Sequence, residues 1–338
     1  MSKHVGRIMR RSSAVLAVVI GLTMAMPAAR ADEATPQTKG KKVALMVATL
    51  QDYYMALLNR LVIARAKDFG MEITTFTTPY DPALQSTQID EAIARKFDMI
   101  VMIAMSEHAV IPALQRAKQA KIPVIMFVAP PKPGSEDLFV SFVGEDNVAL
   151  GRISGQSILD ALKASGRDGG NVALVTGLLA EGLAPRRVTG IKEVLARNKK
   201  VKIVAIEDAK WDPVLTEKIS GQLYGRFAGQ GGIDVIYGMA DNMATASIQA
   251  AEAAGIKVGI GPGKMAVIGG DCFKEGIEAI KAGKMFATAT QIPTWEAAKT
   301  VEVAASYFNG KPVSKYEYFP IEAVTKDNLA KWEGPCTF

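Results

Sequence analysis

Short apolar runs alternate along this chain with longer segments whose apolar residues recur every three or four positions. Lys42–Thr49 is the first such run. Met55–Phe69 follows with Leu57, Leu58, Leu61, Val62, Ala66 and Phe69 at helical spacing, and Gly70 supplies the stop. Glu72–Phe76 alternates as a short strand. Asp81-Pro82 opens a helix with Pro in its first turn and Leu84, Ile89, Ile93 and Phe97 along one face. Asp98–Met105 is apolar on both faces of a strand, Val110–Ala120 is helical, and Pro123–Val128 is a further strand. Strand and helix in strict alternation predict a parallel sheet covered by helices.

The same pattern restarts near Asp146. Helices are predicted over Val148–Ala164, Arg186–Arg197, Leu215–Phe227, Met243–Ala254 and Phe273–Ala282, the last two closed by Gly255 and Gly283. Strands are predicted over Asn171–Thr176, Lys202–Ile206, Asp234–Tyr237, Met265–Gly269 and Phe286–Thr290. A helix over Thr294–Phe308 and an extended stretch, Tyr316–Val324, complete the pattern. No Ser/Gly-rich tether separates the two units, so direct connecting strands acting as hinges are expected. The fold class is α/β, with two similar lobes that each carry a parallel sheet covered on both faces.

The first 31 residues stand apart. Lys3, Arg7, Arg10 and Arg11 precede the apolar or neutral run Ala14–Met26, and Ala29-Arg30-Ala31 follows. A basic head, a short apolar middle and small residues at the end are the pattern of a cleaved signal peptide. The run falls short of the roughly 20 residues that span a bilayer. Export to the periplasm is therefore expected, with residues 1–31 removed. The segment also changes the charge: residues 32–338 balance 35 basic against 34 acidic side chains, so the overall net +6 is no argument for nucleic acid or a membrane surface. Cys272 and Cys336 are the only cysteines. In an oxidising compartment they are candidates for one disulfide; two unpaired thiols are the alternative.

In open parallel sheets ligands collect beyond the carboxyl ends of the strands. Those ends here carry Gln51-Asp52-Tyr53-Tyr54, Arg186-Arg187, Ala209-Lys210-Trp211-Asp212, Met239-Ala240-Asp241-Asn242, Gly270-Asp271 and Gln291. Carboxylates accept from hydroxyls, Arg and Gln donate, and an aromatic face covers the C–H side of a sugar ring. Each residue alone has a plainer role: Asp52, Asp241 and Asp271 suit helix N-caps, and Trp211 suits a core. Their convergence points to a hydroxyl-rich ligand.

Val43–Tyr54, the Gly144-Glu145-Asp146-Asn147 crossover, Arg187-Val188-Thr189-Gly190-Ile191, Ile268-Gly269-Gly270-Asp271 and Thr290-Gln291-Ile292-Pro293 together resemble the periplasmic sugar-binding proteins of the ribose-binding type. The resemblance implies the type I periplasmic binding protein fold, divided as 41–144 plus 292–317 and 145–291 plus 318–338. It implies ligand contacts from Asp52, Tyr54, Arg187, Trp211, Asp271 and Gln291, to which the strand-end reading adds Asp241. It also implies a monomer that needs no cofactor or metal, takes up a monosaccharide or sugar alcohol, and delivers it to the membrane permease of an ABC transporter. A sensor that presents its sugar to a chemoreceptor or sensor kinase is the alternative.

The chain departs from the ribose binders at several points. Their Asp-Arg pair after the fourth strand is Val128-Ala129 here, followed by Pro130-Pro131; Ala240, Ala48 and Met55 replace further polar or aromatic partners. Ribose itself is not the expected ligand. Enzyme motifs are lacking: His108 is the only histidine outside the signal segment, and Gly259–Lys264 lacks both the first glycine and the hydroxyl residue of a phosphate loop.

Overall fold

The computed structural model describes residues 35–129 and 131–337. The expected signal segment 1–31 lies outside the described residues, as do Pro130 and Phe338. Two six-stranded sheets form. The first takes β1 (Lys42–Val47), β2 (Glu72–Thr77), β3 (Met99–Met102), β4 (Val124–Phe127) and β5 (Ser141–Gly144), interleaved with α1 (Tyr53–Asp68), α2 (Pro82–Ala94) and α3 (Ile111–Gln119). The second takes β6 (Gly170–Thr176), β7 (Val201–Asp208), β8 (Val235–Gly238), β9 (Ala266–Ile268) and β10 (Ala287–Ala289). Its helices are α4 (Asn147–Ala164), α5 (Leu183–Leu195), α6 (Pro213–Phe227), α7 (Asp241–Ala253) and α8 (Lys274–Lys281). The chain then returns through α9 (Pro293–Phe308) and β11 (Tyr316–Tyr318) to the first sheet, and ends in β12 (Ala323–Thr325) and α10 (Leu329–Cys336) on the second.

Local chemistry explains the elements. Asp52, Asp81, Asp146 and Asp212 each accept from backbone N–H groups in the first turn of α1, α2, α4 and α6, and Pro82 and Pro213 sit where a missing N–H costs nothing. Along β1 the side chains alternate: Val43, Leu45 and Val47 pack with residues of α1 and α9, while Ala44 and Met46 pack with residues of α2 and α3. The Val, Leu and Met side chains of this set, fully removed from water, each contribute about 1.5–3 kcal/mol. The sheet orders are β2-β1-β3-β4-β5-β11 and β7-β6-β8-β9-β10-β12, parallel throughout except for the β10–β12 pair. Close packing of α4 on α5 needs glycine: a Cβ at Gly151 would stand 2.1 Å from the Arg187 carbonyl oxygen, and one at Gly190 2.1 Å from that of Val148.

The chain passes between the lobes three times: after β5 at Glu145-Asp146, after β10 at residues 290–292, and between β11 and β12. Backbone bonds tie the crossings together, from Phe319 N–H to the Gly144 carbonyl at 3.1 Å and from Thr290 N–H to that of Glu322 at 2.9 Å. Two expectations need correction. The stretch Tyr316–Val324 is two strands in different sheets, broken after Tyr318. Tyr318, assigned from the sequence to the second lobe, pairs with Gly144 in the first. Strand β5 and helix α10 were not anticipated: Ser141–Gly144 is too short to show a period, and Gly334-Pro335 disguises a helix end.

The Cys272–Cys336 disulfide is formed, with Cα atoms 5.2 Å apart. It fastens α10 directly behind Asp271. Closing a loop across 64 positions restricts the unfolded chain. Reduction is therefore expected to lower unfolding stability by about 2–4 kcal/mol, read by urea denaturation with and without reductant. Coincident curves, with both thiols shown free after reduction, would remove the bond from the stability account.

Candidate ligand-binding site

One cavity lies between the lobes at the carboxyl ends of both sheets, as the strand-end argument requires. The first lobe contributes Asp52, Tyr54 and Met55 from the start of α1, Tyr80 from beyond β2, and an apolar wall of Ala48, Ile103, Met105, Val128 and Ala129. The second lobe contributes Glu181, Leu183, Arg187, Trp211, Asn242, Asp271, Phe273 and Gln291. Six of the seven expected contact residues, Asp52, Tyr54, Arg187, Trp211, Asp271 and Gln291, are thus brought together.

Arg187 is the centre of the arrangement, and only 1% of its surface is exposed. Its Nε donates to Asn147 Oδ1 at 3.0 Å, one Nη to the Met239 carbonyl at 3.3 Å, and the other to Gln291 Oε1 at 2.6 Å. Asp271 Oδ1 lies 3.8 Å from the guanidinium. Glu145 stands beside Gln291 and meets the Glu296 carboxyl. Tyr54 donates its hydroxyl to Glu296. The network runs from α5 in the second lobe, through two of the crossing segments, to α1 in the first.

Two carboxyls in contact cannot both stay ionised in a dry site. Glu296 is fully buried and Glu145 is 2% exposed. Glu296 Oε1 and Glu145 Oε2 are each without a donor when both groups are carboxylates. A proton shared between them would satisfy both. Burial and the neighbouring Glu145 charge push the Glu296 carboxyl well above its ordinary value.

Local backbone geometry sets the walls. Eight non-glycine residues among those described have positive φ, and four of them, Tyr80, Val128, Trp211 and Asp271, line the cavity. Strained conformations cluster at working sites. Trp211 lies against Gly177, where a Cβ would overlap the indole at 1.9 Å. The Trp211 Nε1 donates to Glu181 Oε1 at 2.8 Å, and the Arg187 guanidinium stands 5.7 Å from the indole centroid. Burial pushes the Glu181 carboxyl up to about 7, with the Trp211 bond and Arg187 acting against the rise.

Asp241 is the correction. It lies outside the cavity lining and is fully buried. Its Oδ2 accepts from Phe273 N–H at 2.7 Å and its Oδ1 from the Thr288 hydroxyl at 2.6 Å. Gly269 and Gly276 crowd it so closely that a Cβ at either would fall 2.2 Å from its oxygens. Asp241 therefore braces the loop that carries Asp271 and Phe273, and Asn242 takes the cavity position. Glu181, Tyr80 and Phe273 were not anticipated. Glu181 follows β6 and Tyr80 follows β2, so the strand-end rule reaches both once every loop is counted.

The sequence matches the family defined by the periplasmic binding protein domain over residues 43–312. The chain belongs to the periplasmic binding protein family. Among curated relatives, the ribose import binding protein of Haemophilus influenzae is 26% identical, covering 88% of this chain and 92% of its own length. A xylitol-binding protein of Mycolicibacterium smegmatis is 26% identical over 78% of this chain and 71% of its own. A solved ABC transporter periplasmic solute-binding protein from Actinobacillus succinogenes with bound D-allose superposes with a TM-score of 0.75 at 25% identity, covering 86% of this chain and all of that one. Members of this periplasmic binding protein family bind substrates rather than transform them, and the type I fold expected from the sequence is the one present.

Raised carboxyl values fix the sign of the pH dependence. Native Glu181 holds its proton up to about pH 7 and native Asp241 up to about pH 8, whereas both are ionised in the unfolded chain above their ordinary values of 4.5 and 3.8. The native state then binds more protons than the unfolded one, so stability falls as pH rises from about 4 to 8. Glu296 adds to the same slope. Glu296→Gln keeps an acceptor for Tyr54 and places a permanent donor toward Glu145. The variant is expected to melt higher than the parent at pH 8 and to show a shallower decline between pH 5 and 8. A variant melting lower at every pH would exclude the shared proton.

Proposed function

We propose that this protein is the substrate-binding component of an ABC importer and captures a monosaccharide or sugar alcohol between its lobes. The observation that carries this reading is the composition of the interlobe cavity: carboxylates, amides and a guanidinium on one wall, with aromatic rings beside them. Hydroxyl groups need that mixture of acceptors and donors, and ring C–H faces need the aromatics. Relatives named for ribose and xylitol, and a neighbour holding D-allose, belong to the same ligand class.

The first-lobe wall narrows the class. Val128 and Ala129 stand where the ribose binders carry an acid and an arginine, and Ala48, Ile103 and Met105 continue that apolar surface. A ligand with polar groups toward the second lobe and a C–H or deoxy face toward the first fits; ribose, polar all round, loses bonds on that side.

Closure follows from the same contacts. Phe273 of the second lobe packs on Tyr53 and Tyr54 of the first, with centroids 5.3 and 5.7 Å apart. Arg186 pairs with Glu107 across the mouth at 2.7 Å. A ligand that bonds both lobes favours this closed arrangement over an open one in proportion to the extra bonds made. The closed form is the shape a periplasm-facing permease recognises. The lobes turn about the three crossings, which divides the chain near 144, 291 and 319.

A melting-temperature screen over pentoses, hexoses, deoxy sugars and polyols tests the reading. A true ligand at 100 times Kd adds about 2.7 kcal/mol, and a flat response across the panel would reject sugar binding. Once a ligand is found, Trp211→Ala is expected to weaken it by roughly 1–3 kcal/mol in a calorimetric titration. Unchanged affinity with a lowered melting point would make Trp211 a core residue.

A further inference from the structure

The cavity is unbalanced in charge. Asp52, Glu181 and Asp271 line it, and Arg187 is the only cation among the lining residues. Arg187 is already opposed by Asp271 at 3.8 Å, and its hydrogen bonds go to Asn147, Met239 and Gln291, all neutral groups of the protein. Its charge faces Asp271 and also acts on Glu181, so one cation serves two acids. Asp271 is 5% exposed, and among the described residues its carboxylate's nearest charged partner is Arg187 at 3.8 Å.

Asp52 and Glu181 are placed differently. No described Lys, Arg or His pairs with either. Asp52 Oδ1 accepts from Met55 N–H at 2.8 Å, which caps α1, and Glu181 Oε1 accepts from the Trp211 indole. Each carboxylate keeps a second oxygen. The two belong to opposite lobes, and the charge of Asp52 is felt at Glu181. Tyr80, in strained backbone at φ 52°, sits within reach of both charges and offers one hydroxyl. Closing the cleft sets two acidic groups of opposite lobes around one cavity that excludes water, and the one cation there, Arg187, acts on Glu181 while also opposed by Asp271. A neutral sugar supplies hydroxyl donors but no charge.

We propose that the ligand of this cleft is cationic as well as hydroxylated, an amino sugar or amino polyol whose protonated amine lies between Asp52 and Glu181 while its hydroxyls meet Asp271, Asn242 and Gln291. The proposal rests on the sugar-binding reading and adds the charge of the ligand to it. It makes Asp52 and Glu181 the specificity-determining residues: they reward the ammonium and disfavour closure on an uncharged analogue. The neighbouring aromatic faces of Tyr80 and Trp211 suit the C–H groups flanking such an amine and add attraction for a cation.

Calorimetric titration of the protein at pH 7.5 decides the matter, using D-glucosamine, D-galactosamine and glucamine, each beside its hydroxyl parent and its N-acetyl derivative. The proposal expects at least one amine to bind tenfold or more tighter than both of its uncharged counterparts. It further expects Asp52→Asn, which keeps a good N-cap, to cut that preference to threefold or less. Glu181→Gln, which keeps the Trp211 acceptor, should do the same, so the test survives if one variant fails to fold. Parents that bind as tightly as their amines overturn the cationic ligand and leave sugar binding standing. Neutral sugars and amines that all fail to bind overturn both. A tenfold preference that persists in both folded variants overturns the assignment to Asp52 and Glu181.

Discussion

A guanidinium removed from water needs partners for nearly every N–H it carries, and Arg187 imposes that demand on the middle of this molecule. Burying an unpaired charge costs several kcal/mol. The surroundings are accordingly built around it: Asn147 and Met239 hold it in the second lobe, Gln291 holds it from a crossing segment, and Asp271 balances its charge. Gly151 and Gly190 let α4 and α5 approach closely enough to fix its backbone. The ligand-facing residues inherit their positions from these bonds. Gln291 and Asp271 are oriented by Arg187 before any ligand arrives, so less ordering remains to be done on binding.

The same chain of bonds reaches the hinge. Glu145 lies on one of the segments that pass between the lobes and Glu296 in the first turn of α9, just after another, and Tyr54 extends the contact to the helix that begins beside Asp52. The raised Glu296 carboxyl tends to keep its proton, which removes one negative charge from a region already acidic. A polar network in a dry site is worth most when every member is satisfied, and a proton between Glu145 and Glu296 would supply the missing donor. The disulfide adds a covalent brace behind Asp271, and Asp241 adds a hydrogen-bonded one beneath the same loop. Two independent devices thus hold one short segment, 271–273, whose backbone is itself left-handed at Asp271 and Cys272.

Much of this was legible in the sequence. Helical spacing and cap residues located α1 through α9, because Asp-Pro starts and Gly stops are local signals that tertiary packing seldom overrides. The strand-end rule brought Asp52, Arg187, Trp211, Asp271 and Gln291 to one place for a topological reason. What escaped had no local signature. Ser141–Gly144 becomes a strand only because β4 and β11 flank it. Asp241 sits at a strand end like the others, yet Gly269 and Gly276 close over it, and no spacing along the chain reveals that two distant glycines will meet one carboxylate. The Glu145–Glu296 pair joins residues 151 positions apart, and only the fold shows that their carboxyls touch.

The central claim is that Arg187 and the Glu145–Glu296 pair act as one unit across the hinge. A double-mutant cycle on unfolding stability measures this directly. Arg187→Met and Glu296→Gln, singly and together, are compared by urea denaturation at pH 7. Coupled residues of one network deviate from additivity by about 0.5–3 kcal/mol, and the account predicts a deviation of about 1 kcal/mol or more between these two. Additive losses, to within about 0.3 kcal/mol, would show that the ligand site and the hinge are held separately and would contradict it.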